Sequence, residues 1–197
     1  MAKRKNEEVE IKVAIGDRKA FARSLKAAGF RVKTPRTFES NILYDFPDLR
    51  LRKRGELVRI RLYGTEWKLT YKAKGKVGRH KRREEIETKL EDGDSLAEVF
   101  VRLGMDRSFV YEKYRTEWTD GRGDVVVDET PIGDFAELEG SAQWIDATAK
   151  KLGLGIAEYI TGSYGDLFFA WKRQTGSSAE QMTFAHGRSP KPLTRRR

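Results

Sequence analysis

The chain has 197 residues, of which 38% are hydrophobic and 36% charged, with no cysteine and a formal net charge of +10. That length suits one domain with a real core; the missing cysteines exclude disulfides and thiolate metal sites, and no apolar run approaches the roughly 18 residues of a membrane helix. Residues 1–6 carry +3 and residues 174–197 carry +4, leaving +3 for residues 7–173, so basicity alone does not argue for a nucleic-acid partner. Lys3, Arg4 and Lys5 are not followed by an apolar segment, so no secretory signal is read and a cytoplasmic location is expected.

In chain order, Glu8-Val9-Glu10-Ile11-Lys12 opens a strand over residues 7–14, with Glu8, Glu10 and Lys12 on one face and Val9, Ile11 and Val13 on the other. Gly16-Asp17 breaks it, and Phe21, Leu25 and Ala28 predict a helix over 17–28 that Gly29 closes. A strand near 30–45 carries Phe30, Val32, Phe38, Ile42 and Tyr44, with Pro35 expected to interrupt its pairing. Asp45-Phe46-Pro47-Asp48 and Arg54-Gly55-Glu56 read as turns. Strands over 57–62 and 67–72 then set Arg59 and Arg61, and Lys68, Thr70 and Lys72, on common faces. Residues 73–80 read as a mobile basic loop.

A strand over about 81–90 places Arg83, Glu85 and Glu87 together. Asp92 caps a helix over about 95–103. On a strand over about 108–118, Tyr111, Lys113, Arg115 and Glu117 share a face. Asp120-Gly121-Arg122-Gly123 makes a hairpin turn into a strand over 124–130, where Asp124, Val126 and Asp128 lie opposite Val125 and Val127. Phe135-Ala136-Glu137-Leu138-Glu139 repeats the paired carboxylates of the first strand. Helices are expected over about 141–152 and 163–172. From Gln174 onward apolar periodicity ends, and a disordered basic tail is expected. Residues 1–6 form a second basic tail, which leaves 7–173 as a single domain.

Eight strands joined mostly by short turns predict a mainly antiparallel β fold (α+β), an eight-stranded closed barrel with flanking helices. Any one of these charged faces reads as a solvated sheet face over an apolar core. Taken together they are nearly all carboxylate, Arg and Lys, and this points to a charged interior. Acidic pairs suit Mg²⁺ or Mn²⁺ through oxygen ligands, and Arg and Lys arrays suit phosphate. A cavity with both suits a metal-bound polyphosphate, handled by charge neutralisation and positioning.

These residues resemble a known family. Glu8-Val9-Glu10-Ile11-Lys12 is similar to the ExExK signature of the CYTH superfamily, the triphosphate tunnel metalloenzymes, which include class IV adenylate cyclases, thiamine triphosphatases, inorganic triphosphatases and fungal-type RNA triphosphatases. The resemblance continues in order through Leu57-Val58-Arg59-Ile60-Arg61, Leu69-Thr70-Tyr71-Lys72, Arg83-Glu84-Glu85-Ile86-Glu87, Lys113-Tyr114-Arg115, Val127-Asp128-Glu129, Phe135-Ala136-Glu137-Leu138-Glu139 and Thr161-Gly162-Ser163-Tyr164. It covers about residues 7–172. It implies that Glu8, Glu10, Glu137 and Glu139 hold Mg²⁺ or Mn²⁺, with Glu87 assisting. It implies that Lys12, Arg59, Arg61, Lys72, Arg83, Lys113 and Arg115 grip a triphosphate, and that Lys12, Glu85 and Asp128 serve the chemical step. The His-Phe pair that precedes ExExK in the best-known class IV cyclases has no counterpart in Met1–Glu7. The spacing around Asp45, Phe46-Pro47 and 128–133 still resembles the cyclase-labelled bacterial branch.

The resemblance implies a small-molecule substrate: tripolyphosphate, thiamine triphosphate or a nucleotide. Three functions are open: hydrolysis of its terminal phosphate, which is the leading reading; cyclisation of ATP to cyclic AMP and pyrophosphate; and non-catalytic binding of polyphosphate or an RNA end. Neither a membrane nor a nucleic-acid partner is expected, and monomer and homodimer both stay open. His80 reads as a solvated loop residue and His186 as an inert tail residue. Trp67, Phe135, Tyr164 and Trp171 read as core, and Arg195-Arg196-Arg197 as a solvated end.

Overall fold

Alternation of charged and apolar residues gives each strand two unlike faces, and closing the sheet on itself satisfies both. The computed structural model describes residues 7–184. Its strands are β1 (Glu7–Ile15), β2 (Arg31–Asp45), β3 (Leu57–Tyr63), β4 (Glu66–Lys72), β5 (Lys76–Val77), β6 (Lys81–Leu90), β7 (Asp106–Thr119), β8 (Asp124–Thr130) and β9 (Gly133–Glu139). The order β1-β9-β8-β7-β2-β3-β4-β6 closes because β6 returns to pair with β1, every pairing being antiparallel. Closure leaves these eight strands no free edge. The two-residue β5 adds to the outside of β6, in the stretch expected to be a mobile loop. The interruption expected at Pro35 is found as register shifts between Val32 and Thr37 on β2.

The apolar core lies outside the barrel, under helices. α1 (Arg18–Ala27) and α4 (Ala142–Lys151) cover one side, where Ile11, Val13, Leu25, Val125, Leu138 and Ile145 are fully buried. α2 (Arg50–Arg54) and α3 (Gly93–Arg102) close a second cluster around Tyr44, Leu51 and Ile60. α5 (Tyr164–Thr175) builds a third from Phe135, Phe168 and Trp171. Cap residues set the helix starts: Asp17 accepts from the Lys19 and Ala20 N–H groups, and Asp92, Ser141 and Ser163 do the same for α3, α4 and α5. Gly29, at φ +87°, takes the left-handed turn that ends α1.

Three local expectations are corrected. α2 lies between the two expected turns and takes in Arg54 of the second, its five residues holding too little periodicity to declare a helix. Two of its orphan N–H groups, those of Leu51 and Arg52, donate to the Asp45 side chain, which also accepts from the Phe46 N–H. In the stretch 174–184, assigned to a disordered tail, Gln174 and Thr175 continue α5 and the chain then docks on β7 through Met182. β8 pairs with β7 only from Tyr114 onward, which leaves earlier β7 backbone groups open. The Met182 N–H donates to the Val110 carbonyl and its carbonyl accepts from Glu112, at 3.0 and 2.9 Å, with the Met182 side chain fully buried. A lone Met and Phe184 in a polar run carry no periodic signal. His80 is 9% exposed rather than solvated, because Asp146 on α4 takes its Nε2 at 2.8 Å. Residues 1–6, His186 and Arg195–Arg197 lie outside the described residues. No helix among the described residues is long and apolar enough to cross a membrane.

Candidate active site

The barrel interior is a cavity of about 1170 Å³, and strand register decides which charges meet inside it. β1 against β9 sets Lys12 beside Glu137 and Glu10 beside Glu139. β7 against β8 sets Arg115 beside Asp128, and β4 against β6 sets Lys72 beside Glu85. Of the predicted site residues, all except Asp128 line the cavity. Asp128 is fully buried behind that lining.

The carboxylates fall into three groups. Oxygens of Glu8, Glu10 and Glu139 lie within 4.8 Å of one another. This trio is a hard, all-oxygen donor set of the kind Mg²⁺ and Mn²⁺ prefer. Glu8 pairs with Lys72 at 2.7 Å and Arg83 at 3.5 Å, and Glu10 with Lys81 at 3.1 Å, whereas Glu139 has no cation at ion-pair distance among the described residues. Burial pushes the Glu139 carboxyl up to about 8, helped by Glu137, Glu8 and Glu10 against the pull of Arg115. A carboxylate held protonated by its neighbours is one that a cation would relieve, so the residues present fit a divalent metal.

Glu137 and Asp128 form the second group. Glu137 pairs with Lys12 and, at 2.6 Å, with Arg115. Burial would raise its pKa, but Lys12, Arg115 and Lys113 hold it well below the usual range. Asp128 accepts from Lys113, from two nitrogens of Arg115 and, at 2.6 Å, from the Tyr164 hydroxyl. Glu137, expected in the metal set, therefore stands outside the trio with its oxygens committed to cations. Glu87, expected to assist the metal, instead binds Lys68 at 2.9 Å and the Thr70 hydroxyl.

Glu39 makes the third group and was absent from the expected set. It is fully buried on β2, with Arg61 and Lys113 at 3.5 Å and Arg115 at 3.7 Å. Those cations and Arg59 hold its pKa well down against burial. Asn41, two residues on, donates to Glu39 at 2.9 Å and accepts from Arg61 at 3.2 Å. The Glu39–Asn41 alternation was the available signal, and the apolar residues of the opposite face obscured it. Lys81 was likewise missed, although it continues the Arg83–Glu85–Glu87 face.

Arg59 differs from the other predicted cations. It is 5% exposed, and among the described residues no carboxylate pairs with it. Its guanidinium donates only to hydroxyls, Tyr111 at 3.0 Å and Thr70 at 3.2 Å, and its Nε–H has no partner. A buried guanidinium lining a cavity, with no carboxylate at ion-pair distance, is arranged for an anion.

Comparison with known proteins agrees with this geometry. The CYTH domain model matches residues 6–163. A protein of Methanocaldococcus jannaschii provisionally named an adenylate cyclase is 32% identical over 146 residues, spanning 74% of this chain and 83% of its own length. A Vibrio parahaemolyticus structure with a similarly provisional cyclase name superposes with a TM-score of 0.73 at 21% identity, covering 82% of this chain and 97% of that one. A Hippeastrum protein provisionally named an adenylyl cyclase, and described as having a dominant triphosphatase activity, superposes at 0.62 with 17% identity, covering 83% and 95%. At these identities the two structures speak for the fold.

Proposed function

Since this chain belongs to the CYTH family, we propose that it is a divalent-metal-dependent triphosphatase that removes the terminal phosphate of an inorganic or organic triphosphate held inside the barrel. The observation that carries the reading is the pairing, in one cavity, of the Glu8–Glu10–Glu139 trio with a guanidinium, Arg59, that lacks any carboxylate partner. Glu8, Glu10 and Glu139 would hold Mg²⁺ or Mn²⁺. Such an ion, when bound, supplies neutralisation of phosphate charge and a fixed orientation for the chain of phosphates.

Arg59, Arg61, Lys12, Lys72, Arg83, Lys113 and Arg115 bind the phosphate oxygens. Most of these cations now hold carboxylates, so anion binding is an exchange of ion pairs inside a preformed site. Lys72 and Lys81, which offset Glu8 and Glu10, turn to phosphate once the trio is neutralised otherwise. Asp128 does not touch substrate in this reading; it fixes Lys113 and Arg115 so that their remaining N–H groups face the lumen. Lys12 bridges the Glu137 network and the phosphates. Glu85, beside Glu8 and paired with Lys72 at 2.7 Å, orients the attacking water. Phosphoryl transfer through a loose transition state needs little more than this positioning and charge.

The second reading is cyclisation of ATP to cyclic AMP, and the named relative at 32% identity favours it. In that case the ribose hydroxyl replaces water and pyrophosphate leaves. Incubation with ATP and with tripolyphosphate, each with Mg²⁺ or Mn²⁺, separates the two. ADP and phosphate support hydrolysis, whereas cyclic AMP and pyrophosphate overturn it in favour of cyclisation. Binding of tripolyphosphate with no turnover of any triphosphate would leave only the non-catalytic module.

A further inference from the structure

β7 carries a lumen side chain that counter-ion pairing does not explain. Tyr111 lies on the same face as Lys113 and Arg115, lines the cavity and is 7% exposed. Its ring stacks on Phe109 at 5.8 Å and on Tyr164 at 6.0 Å, with interplanar angles of 25° and 30°, which fixes the direction of the phenol. The phenol oxygen accepts from Arg59 Nη1 at 3.0 Å. A phenol can accept and donate together, and among the described residues nothing takes the Tyr111 proton. The Arg59 Nε–H is also buried without a partner. Two hydrogen-bonded neighbours, each with an unused donor, therefore line one cavity.

The phenol stacked on Tyr111 is different. Tyr164 commits its hydroxyl to Asp128 at 2.6 Å, and burial with Asp128 and Glu137 pushes its pKa well up. Burial would also raise Tyr111, but Arg59 and Lys113 draw it below the ordinary phenol value. A more acidic phenol is the stronger hydrogen-bond donor, and a neutral donor adds no charge to a cavity already rich in cations.

We propose that Tyr111 is a further catalytic residue: its hydroxyl, aimed by Arg59, donates a hydrogen bond to a non-bridging phosphate oxygen of the bound triphosphate. The inference rests on the triphosphate reading above. No proton is transferred; the hydrogen bond strengthens as charge shifts among the phosphate oxygens in the transition state. Ground-state binding comes mainly from the ion pairs, so the hydroxyl acts on turnover more than on affinity.

Tyr111→Phe tests this, because it removes only the hydroxyl and keeps both ring contacts. With whichever triphosphate the wild type turns over, kcat is expected to fall on the order of 100-fold, the loss seen for one transition-state donor. KM and calorimetric tripolyphosphate affinity should stay within about threefold, and the melting temperature should be unchanged. A kcat within about twofold of wild type, or a change in KM alone, overturns the proposal. If the wild type turns over no triphosphate, the functional reading fails and this proposal with it; an active wild type with an unaffected Tyr111→Phe sinks the proposal alone.

Discussion

Single side chains in this barrel do two different jobs, and substitutions should separate them. Arg59 has no carboxylate to fall back on, so Arg59→Ala removes an anion contact without freeing a buried acid. Tripolyphosphate affinity should drop roughly 10- to 150-fold, the equivalent of a charge-assisted hydrogen bond, while the melting temperature moves little; calorimetry checks both. Asp128 is the opposite case. It is fully buried among Lys113, Arg115 and Tyr164, so Asp128→Ala strands two buried cations. Unfolding in urea should show a loss of about 3 kcal/mol or more, because breaking a buried ionic network costs more than the network contributes. Glu39 shows the limit of reading residues singly. It is fully buried on β2, and its ion-pair partners come from β3 and β7.

At the scale of elements, strands were easier to read than the segments that complete them. Eight strands and four of the five helices followed from alternation and helical spacing, with Asp17 and Asp92 marking the starts of two of those helices. α2, β5 and the packed segment 176–184 did not. Each is short: α2 is held by the Asp45 side chain just before it, β5 by the adjoining β6, and the last segment by β7, about 70 residues away in sequence. Barrel stagger explains two fillings of this kind. β6 pairs with β1 only as far as Glu10, and Lys12 then exchanges backbone hydrogen bonds with Ile160 at 3.0 and 2.7 Å. Met182 serves β7 in the same way. Met182→Ala should therefore destabilise by about 2 kcal/mol or more, the usual cost of emptying a fully buried Met site, measured by thermal or urea unfolding. An unchanged midpoint would mean that the segment does not stay docked in solution.

For the whole molecule, the distinguishing property is a charged interior with the apolar core outside it. Small barrels are ordinarily filled by apolar side chains; here that packing lies between barrel and helices. The interior then depends on solution conditions. The Glu139 pKa of about 8 lies above the ordinary Glu value near 4.3, so folding favours its neutral form. The stability this contributes is complete below the ordinary value and is lost as pH rises through about 8. Without metal, wild type should lose stability relative to Glu139→Gln progressively from about pH 4 to about pH 8 and change little above that. Mn²⁺ competes with that proton, so its stabilising effect should grow over the same interval and be weak in Glu139→Gln. Thermal melts with and without Mn²⁺ across this range read both effects. A stabilisation by Mn²⁺ that ignores pH would place the ion away from Glu139.

By itself the sequence determined that strands alternate charge with apolar residues, and therefore that one face of the sheet would be ionic. It also carried the ordered motifs from Glu8 to Tyr164 that mark the family. Only the tertiary structure decided which charges neutralise each other. Strand register brings Glu139 to Glu8 and Glu10 but hands Glu137 to Lys12 and Arg115, although the two glutamates share one strand face. It leaves Arg59 with hydroxyls and Tyr111, which alternation had placed on the charged face, as a donor with no acceptor among the described residues. Alternation fixes the face a side chain takes; its partners depend on closure and stagger, which join residues more than 120 positions apart.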